Sequence, residues 1–211
     1  MSNREKMYWQ RGQKLVQVLQ SKGFDAQIVE HKEEVAAKVL ALIPEEHTVA
    51  WGGSVTLAEC GVLDAVRKER KVIDRDKAET LSEKAQKMHQ ALLSDTFLMS
   101  ANGIGMDGTL ANIDGTGNRL AALIYGPSQV IVVAGMNKVM PSAKAALERA
   151  WKDAAPMNMQ RFPNKKCGCS GTGVCVECNS PDSICNQFLV TRRCNPQGRI
   201  KVILVAEDLG Y

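Results

Sequence analysis

The chain has 211 residues, of which 45% are hydrophobic and 24% charged, and its formal net charge is +4. These values are ordinary for a soluble globular protein with one well-packed α/β domain. The mild positive charge, without a dense Lys/Arg run or interleaved aromatic residues, gives no indication of a nucleic-acid partner. Apolar runs stay well below the roughly 18 residues that a membrane span needs, and the N-terminal segment is charged, so a cytoplasmic protein is expected.

The first half of the chain alternates between helical and strand-like patterns. Helices are expected at Asn3–Ser21, Glu33–Leu42, Val62–Glu69 and Leu81–Leu92. Strands are expected at Ala26–Val29, Thr48–Trp51 and Lys71–Ile73. A further short helix before Gly61 is expected to begin with Thr56 and Glu59, which have capping-box spacing.

The second half continues the same alternation. Strands are expected at Thr96–Met99, Thr109–Ile113, Gln129–Ala134 and Arg199–Ala206. One helix is expected to open at Gly115–Arg119 and to run to Ile124. A second is expected over Pro141–Lys152, with Pro156 ending it. This order predicts an α/β fold, a mainly parallel sheet with helices on both faces. We expect a single domain over residues 1–211, with residues 157–195 as a cysteine-rich insert before the last strand.

A glycine motif follows the strand Thr96–Met99. Gly103–Gly108 fits the G-x-G-x-x-G pattern of dinucleotide-binding proteins, but that pattern must open a helix. Here Thr109–Ile113 alternates like a strand, and Asp107-Gly108 is a typical two-residue hairpin turn. We therefore favour a hairpin with a type I′ turn over a dinucleotide site.

Three polar loops after strands are candidates for binding a small anionic ligand. Their residues are Gly52, Gly53, Ser54 and Thr56; Asp114, Gly115, Thr116, Gly117, Asn118 and Arg119; and Asn137 and Lys138. Backbone N–H groups in such loops can cradle an anion, with Arg119 and Lys138 as counter-charges. Tight turns with helix caps are the structural alternative for each loop. No catalytic set of the Ser-His-Asp or Cys-His kind is recognisable, so catalytic residues are not assigned.

Six of the seven cysteines lie in the segment between Cys167 and Cys194. Cys175 and Cys178 form a C-x-x-C pair, whose spacing allows two thiolates to bind one metal ion. Cys167 or Cys169 before the pair, and Cys185 after it, can complete a set of four sulfur ligands. The spacing does not decide between zinc and an iron–sulfur cluster.

Several of these motifs together resemble the LUD domain family of bacterial lactate-utilisation proteins. The resemblance covers about Tyr8 to Ala206, and its clearest stretches are Trp51–Leu57, Asp107–Leu110, Asn112–Arg119, Asn137-Lys138, and the cysteine motif from Cys167 to Asn186. The cysteine motif is similar to that of small stand-alone members, with Cys167, Cys175, Cys178 and Cys185 as the metal ligands. Cys169 and Cys194 fall outside the pattern and receive no role.

The resemblance implies a fold like that of the ribose-5-phosphate isomerase, glucosamine-6-phosphate deaminase and CoA-transferase superfamily. It also implies an accessory or redox protein of L-lactate oxidation to pyruvate, working beside iron–sulfur oxidoreductase subunits. Two other functions stay open: an enzyme acting on a sugar phosphate, CoA ester or folate-like ligand, and a zinc-stapled, non-catalytic interaction module. For an enzyme, Glu59 and Asp114 are the nearest acid–base candidates, and the sequence leaves open whether the chain is an enzyme.

Overall fold

A central sheet of parallel strands organises the computed structural model, which describes residues 2–211. The six strands of this sheet in the described part of the chain are, in spatial order, β1 (Asp25–Val29), β10 (Ile200–Val205), β7 (Gln129–Gly135), β4 (Thr96–Met99), β2 (Thr48–Trp51) and β3 (Lys71–Ile73). The central strands β7 and β10 pair in register, with Val202 beside Val132. Both are buried along most of their length, which explains their continuous apolar sequences.

Helices cover both faces of this sheet, as the sequence predicts. On one face lie α1 (Asn3–Ser21) and α6 (Asn118–Ile124), and on the other α2 (Val35–Leu42), α3 (Val55–Glu59) and α4 (Val62–Glu69). Helix α5 (Leu81–Gln90) follows the edge strand β3 in the chain. Successive β7 residues divide between the two cores: Val130 and Val132 belong to one, Ile131 and Val133 to the other. The predicted α/β class, with a mainly parallel sheet between helical layers, is therefore confirmed. None of the described helices is both long enough and apolar enough to cross a membrane.

A second, smaller sheet lies beside the first, and the sequence predicts only the hairpin within it. Its strand order is β8 (Val139–Met140), β5 (Gly103–Gly105), β6 (Leu110–Asp114), β9 (Gln187–Thr191). Strand β9 lies inside the cysteine-rich insert, where the sequence predicts no strand, and pairs antiparallel with β6, with Phe188 opposite Ile113. The strand brings the end of the cysteine segment back against the middle of the chain.

The helix predicted over Pro141–Lys152 differs in its bounds and does not end at Pro156. Helix α7 (Ala143–Arg149) passes through a π-helical turn at Ala150–Ala154 into α8 (Ala155–Met159). Pro156 lies in the first turn of α8, directly after the π-helical turn, and the chain stays helical past it. The short helix α9 (Gly168–Thr172) follows inside the cysteine segment.

Two predicted local motifs take a different form. The hairpin between β5 and β6 is present, but its loop has three residues, since Gly105 N donates to the Thr109 carbonyl and only Gly108 has a positive φ, +77°. This is the type I turn with a glycine bulge. The predicted capping box of Thr56 and Glu59 is wrong. The N-cap of α3 is Ser54, whose hydroxyl accepts a hydrogen bond from Leu57 N.

Candidate functional site

The carboxyl ends of β2, β4 and β7 open onto a cleft of about 560 Å³. Each strand contributes the residues that follow it: Ser54 and Thr56 after β2, Ser100 after β4, and Lys138 after β7. Parallel strands direct their following loops to the same edge of the sheet, where α/β proteins usually bind ligands. The fold thus brings together loops that lie far apart in sequence.

Basic side chains predominate around this cleft. Those that line it are Arg75, Lys84, Arg119, Lys138, Arg161 and Lys165, whereas the acidic side chains that line it are Asp76 and Asp114. A concave surface with this imbalance raises the local concentration of anions. The cleft therefore has the electrostatic character that the anion-binding prediction requires.

Most of the predicted ligand-binding residues lie at this one cleft. Those on its lining are Gly53, Ser54, Thr56, Asp114, Gly115, Thr116, Asn118, Arg119 and Lys138. Gly52 instead lies under the Arg119 stem, where a side chain would overlap it. Gly117 precedes α6 with φ +87°, and Asn137 holds the backbone of Leu209 through both atoms of its amide.

Asp114 and Arg119 bind each other at the wall of the cleft. Arg119 Nε donates to Asp114 Oδ1 at 2.7 Å, and its Nη2 forms an ion pair with the same carboxylate. The second carboxylate oxygen accepts from the backbone N–H groups of Arg119 and Leu120, at 3.0 and 3.3 Å. Two amides at the start of α6, those of Arg119 and Leu120, are thus satisfied within the chain and not by a bound anion. These hydrogen bonds to the start of α6 and to the Arg119 side chain account for the burial of Asp114.

Lys138 is the most enclosed cation of the cleft, with 3% of its surface exposed. Its Nζ donates to Thr56 Oγ1 at 2.8 Å and to Ser100 Oγ at 3.0 Å, and both of these partners are uncharged hydroxyl groups. Burial, and secondly the charge of Arg149, lower the pKa of Lys138 to about 7. Near neutral pH the amine is therefore divided between its charged and uncharged forms.

A second cavity, of about 80 Å³, collects the cysteines. Its lining includes Cys167, Cys169, Cys175, Cys178 and Cys185. All the predicted metal ligands thus face one space, together with Cys169, which the sequence left without a role. Cys194 lies elsewhere in the core, where its sulfur donates to the Pro196 carbonyl and accepts from Ile200 N. Burial raises the pKa of Cys60, another core residue, to about 12.

The thiols of this cavity share one space but do not surround a common centre. Cys167 Sγ lies 3.4 Å from Cys169 Sγ, and the backbone N–H groups of Gly168 and Ser180 lower the pKa of Cys178. Among residues 2–211, no three His, Cys, Asp or Glu side chains have the geometry of a metal site. The donor set nevertheless fits a thiophilic metal, because five thiols line one small cavity.

The cleft and the cysteine cavity share part of their walls. Ala155, Ser183 and Ile184 line both spaces. The same segment is tied to the loop after β6, since Asn186 N donates to the Asp114 carbonyl at 2.9 Å and Asn186 Nδ2 to the Gly115 carbonyl at 3.0 Å. The two predicted sites, whose separation the sequence does not reveal, are therefore neighbours.

Several cleft residues were not identified from sequence. Arg75, Lys84, Arg161 and Lys165 come from helices and connections far from the glycine loops, and nothing local marks them. Ser100 had a usable signal, because it directly follows the buried strand β4, as Lys138 closely follows β7.

The family match and one solved structure agree with this architecture. The profile of the LUD domain family matches residues 12–205. The crystal structure of a DUF162 family protein from Deinococcus radiodurans superimposes with a TM-score of 0.53 at 13% identity, covering 94% of this chain and 98% of that one. A structure of eIF2B delta from Chaetomium thermophilum reaches a TM-score of 0.35 at 16% identity, covering 64% of this chain and 57% of that one. No curated protein sequence matches the chain.

Proposed function

We propose that this chain, which belongs to the LUD domain family, is an accessory or redox subunit linked to the oxidation of L-lactate to pyruvate. In this proposal the cationic cleft binds the carboxylate, and the cysteine cavity holds an iron–sulfur cluster or zinc. The observation that carries the proposal is the wall shared by the two spaces, formed by Ala155, Ser183 and Ile184. Electron transfer requires a bound substrate close to the redox group, and iron–sulfur oxidoreductase subunits are the expected partners.

The charges of the cleft support the carboxylate part of this proposal. Lactate and pyruvate are small anions, and the cleft lining includes Arg161 and Lys165, which shortly precede the cysteines in sequence. Lys138 and the hydroxyl groups of Thr56 and Ser100 offer hydrogen-bond partners for the oxygen on C2. Carboxylate recognition by a few fixed polar groups in a concave site is the usual arrangement for such ligands.

The cysteine cavity supports the metal part. Cys167, Cys175, Cys178 and Cys185 are the proposed ligands, and Cys169 adjoins Cys167. A bound iron–sulfur cluster supplies one-electron transfer, whereas bound zinc supplies only structural support. The chain's own contribution is to keep these thiols in one cavity, and Cys178 is the thiol whose ionised form the backbone already stabilises.

The metal is tested on protein purified without oxygen. We expect visible absorption, iron and acid-labile sulfide, and an electron paramagnetic resonance signal after reduction that changes when pyruvate is added. Cys178→Ser is expected to lower the metal content by half or more, on the order expected for loss of one of four ligands. Cys60→Ser is the matched control, since Cys60 lies in the core away from the cavity, and its metal content should equal that of the wild type. A colourless protein with stoichiometric zinc contradicts the redox role and favours the interaction module.

The size of the cleft favours a second candidate function. About 560 Å³ lies within the roughly 300–1,000 Å³ typical of sites for larger organic ligands, and it exceeds what a three-carbon acid fills. An enzyme acting on a sugar phosphate, CoA ester or folate-like ligand would use this space. Calorimetric titration with pyruvate, ribose 5-phosphate and CoA separates the candidates. If a larger ligand binds at least about tenfold more tightly than pyruvate, by about 1.4 kcal/mol, the second candidate replaces the first.

A further inference from the structure

The side chain of Lys138 is a buried amine without a charged partner in hydrogen-bond contact. Thr56 Oγ1 and Ser100 Oγ hold Nζ at 2.8 and 3.0 Å, and the residue still lines the cleft. A lysine that serves only as a counter-charge is usually exposed or paired with a carboxylate, because burying an unpaired ammonium is costly. Lys138 has the opposite setting, which is that of a lysine used as a nucleophile.

We propose that Lys138 Nζ is a nucleophilic centre that forms an imine with the carbonyl carbon of a 2-oxo acid bound in the cleft. The inference rests on the proposed carboxylate-binding function and adds covalent chemistry to it. The substrate class follows from the site: the amine requires a ketone, and the basic residues around the cleft require an anionic group on the same molecule. A 2-oxo acid carries both groups on adjacent carbons.

The protonation state of the amine agrees with this geometry. Burial and the neighbouring guanidinium of Arg149 lower the pKa of Lys138 to about 7. Desolvation beside another cation is an established way to activate a lysine. Relative to an ordinary lysine with a pKa near 10.4, the uncharged fraction at pH 7 is larger by a factor on the order of 10³.

The reaction balances without any further reagent. The lone pair of Nζ attacks C2, a C–N bond forms, and the carbonyl electrons move to oxygen, which takes up a proton to give a carbinolamine. Loss of that oxygen as water, with the electron pair of nitrogen forming the C=N bond, gives the imine. The net change is amine plus ketone to imine plus water, with no oxidation or reduction. The hydroxyl groups of Thr56 and Ser100, both in contact with Nζ, are placed to relay the protons.

Reductive trapping tests the proposal on the full chain. The protein is incubated at pH 7 with pyruvate and sodium cyanoborohydride, and intact mass and peptide mapping then locate any carboxyethyl group. We expect one group per chain at Lys138, formed at least about tenfold faster than at Lys84 or Lys165, which line the same cleft. Acetone, a ketone without the carboxylate, should label Lys138 far less.

Variants and a separate binding measurement keep the outcomes distinct. Lys138→Met and Lys138→Arg should lose the adduct, and Lys14→Arg, at an exposed position on α1, should keep it. Circular dichroism confirms that each variant is folded. If pyruvate binds by calorimetry but no adduct forms at Lys138, or if all lysines are labelled equally, the imine is refuted and the carboxylate-binding function stands. If pyruvate does not bind at all, the proposed function fails, and the imine with a 2-oxo acid fails with it.

Discussion

Replacing Lys138 by methionine is expected to stabilise the folded protein near neutral pH, although it removes two hydrogen bonds. The pKa falls from 10.5 to about 7 on folding, and at about 1.4 kcal/mol for each unit this corresponds to a cost of about 5 kcal/mol. Losing the contacts to Thr56 and Ser100 costs about 1–3 kcal/mol. The net gain for Lys138→Met at pH 7 is therefore about 2–4 kcal/mol in the free energy of unfolding.

The sign of the pH dependence follows from the same pKa values. Between pH 7 and 10.5 the unfolded chain holds a proton that folded Lys138 has released, so wild-type stability rises with pH through this window. Below the window the amine is protonated in both states and its full burial cost is present. Above the window the amine is neutral in both states and the cost vanishes. The advantage of Lys138→Met should therefore shrink as pH rises from 7 and finally reverse.

Urea unfolding followed by tryptophan fluorescence, at a series of pH values across this window, measures the difference between the two proteins. Other titrating groups are shared by both proteins and cancel in the difference. Lys14→Met, at an exposed position on α1, is the matched control, and its difference should stay within about 0.5 kcal/mol. If Lys138→Met is less stable than the wild type at pH 7, by an amount that does not vary with pH, then Lys138 keeps its charge in the folded protein and the reasoning is refuted.

Two further predictions concern the walls of the cleft. Gly52→Ala places a Cβ against the Arg119 stem and should lower the free energy of unfolding in urea by about 1–3 kcal/mol. In Gly53→Ala the nearest atom to the new Cβ is Arg75 Nη2 at 3.8 Å, so the loss should be less than about 0.5 kcal/mol. Equal effects of the two substitutions would contradict the packing. Arg161→Gln and Lys165→Gln should each weaken pyruvate binding about three- to tenfold and reduce its salt dependence in calorimetry, and unchanged affinity would remove these side chains from the binding site.

Elements whose signals are local could be predicted from the sequence. Helix α1 and strands β2 and β4 have the predicted bounds, because an apolar pattern with clear breaks specifies each of them without help from the rest of the chain. Strand β7 is recognisable for a related reason, since a short, continuous run rich in β-branched residues is typical of a strand buried on both faces. Glycine loops at the ends of such strands then indicate where the cleft opens.

Elements that depend on distant partners could not be predicted in this way. Strand β9 forms by pairing with the edge of β6. Its own residues are exposed or half-buried, so they show no buried apolar pattern that would predict a strand. Thr56 has the spacing of a capping residue, but its hydroxyl contacts Lys138, 82 residues away, and Ser54 caps the helix instead. The sequence marks Arg119 as a possible counter-charge for a ligand, but in the folded chain its guanidinium forms an ion pair with Asp114.

The segment from Ser183 to Asn186 connects the two candidate sites in one short stretch of chain. Cys185 faces the cysteine cavity, Ser183 and Ile184 line both spaces, and Asn186 holds the loop after β6 through two hydrogen bonds. A metal held by Cys185, as proposed above, would therefore be bound by the same short segment that forms a wall of the cleft. A ligand in the cleft then changes metal affinity by the same factor by which the metal changes ligand affinity. A coupling of about 1 kcal/mol makes that factor about five, which metal titrations with and without pyruvate would detect as a fivefold change in metal affinity.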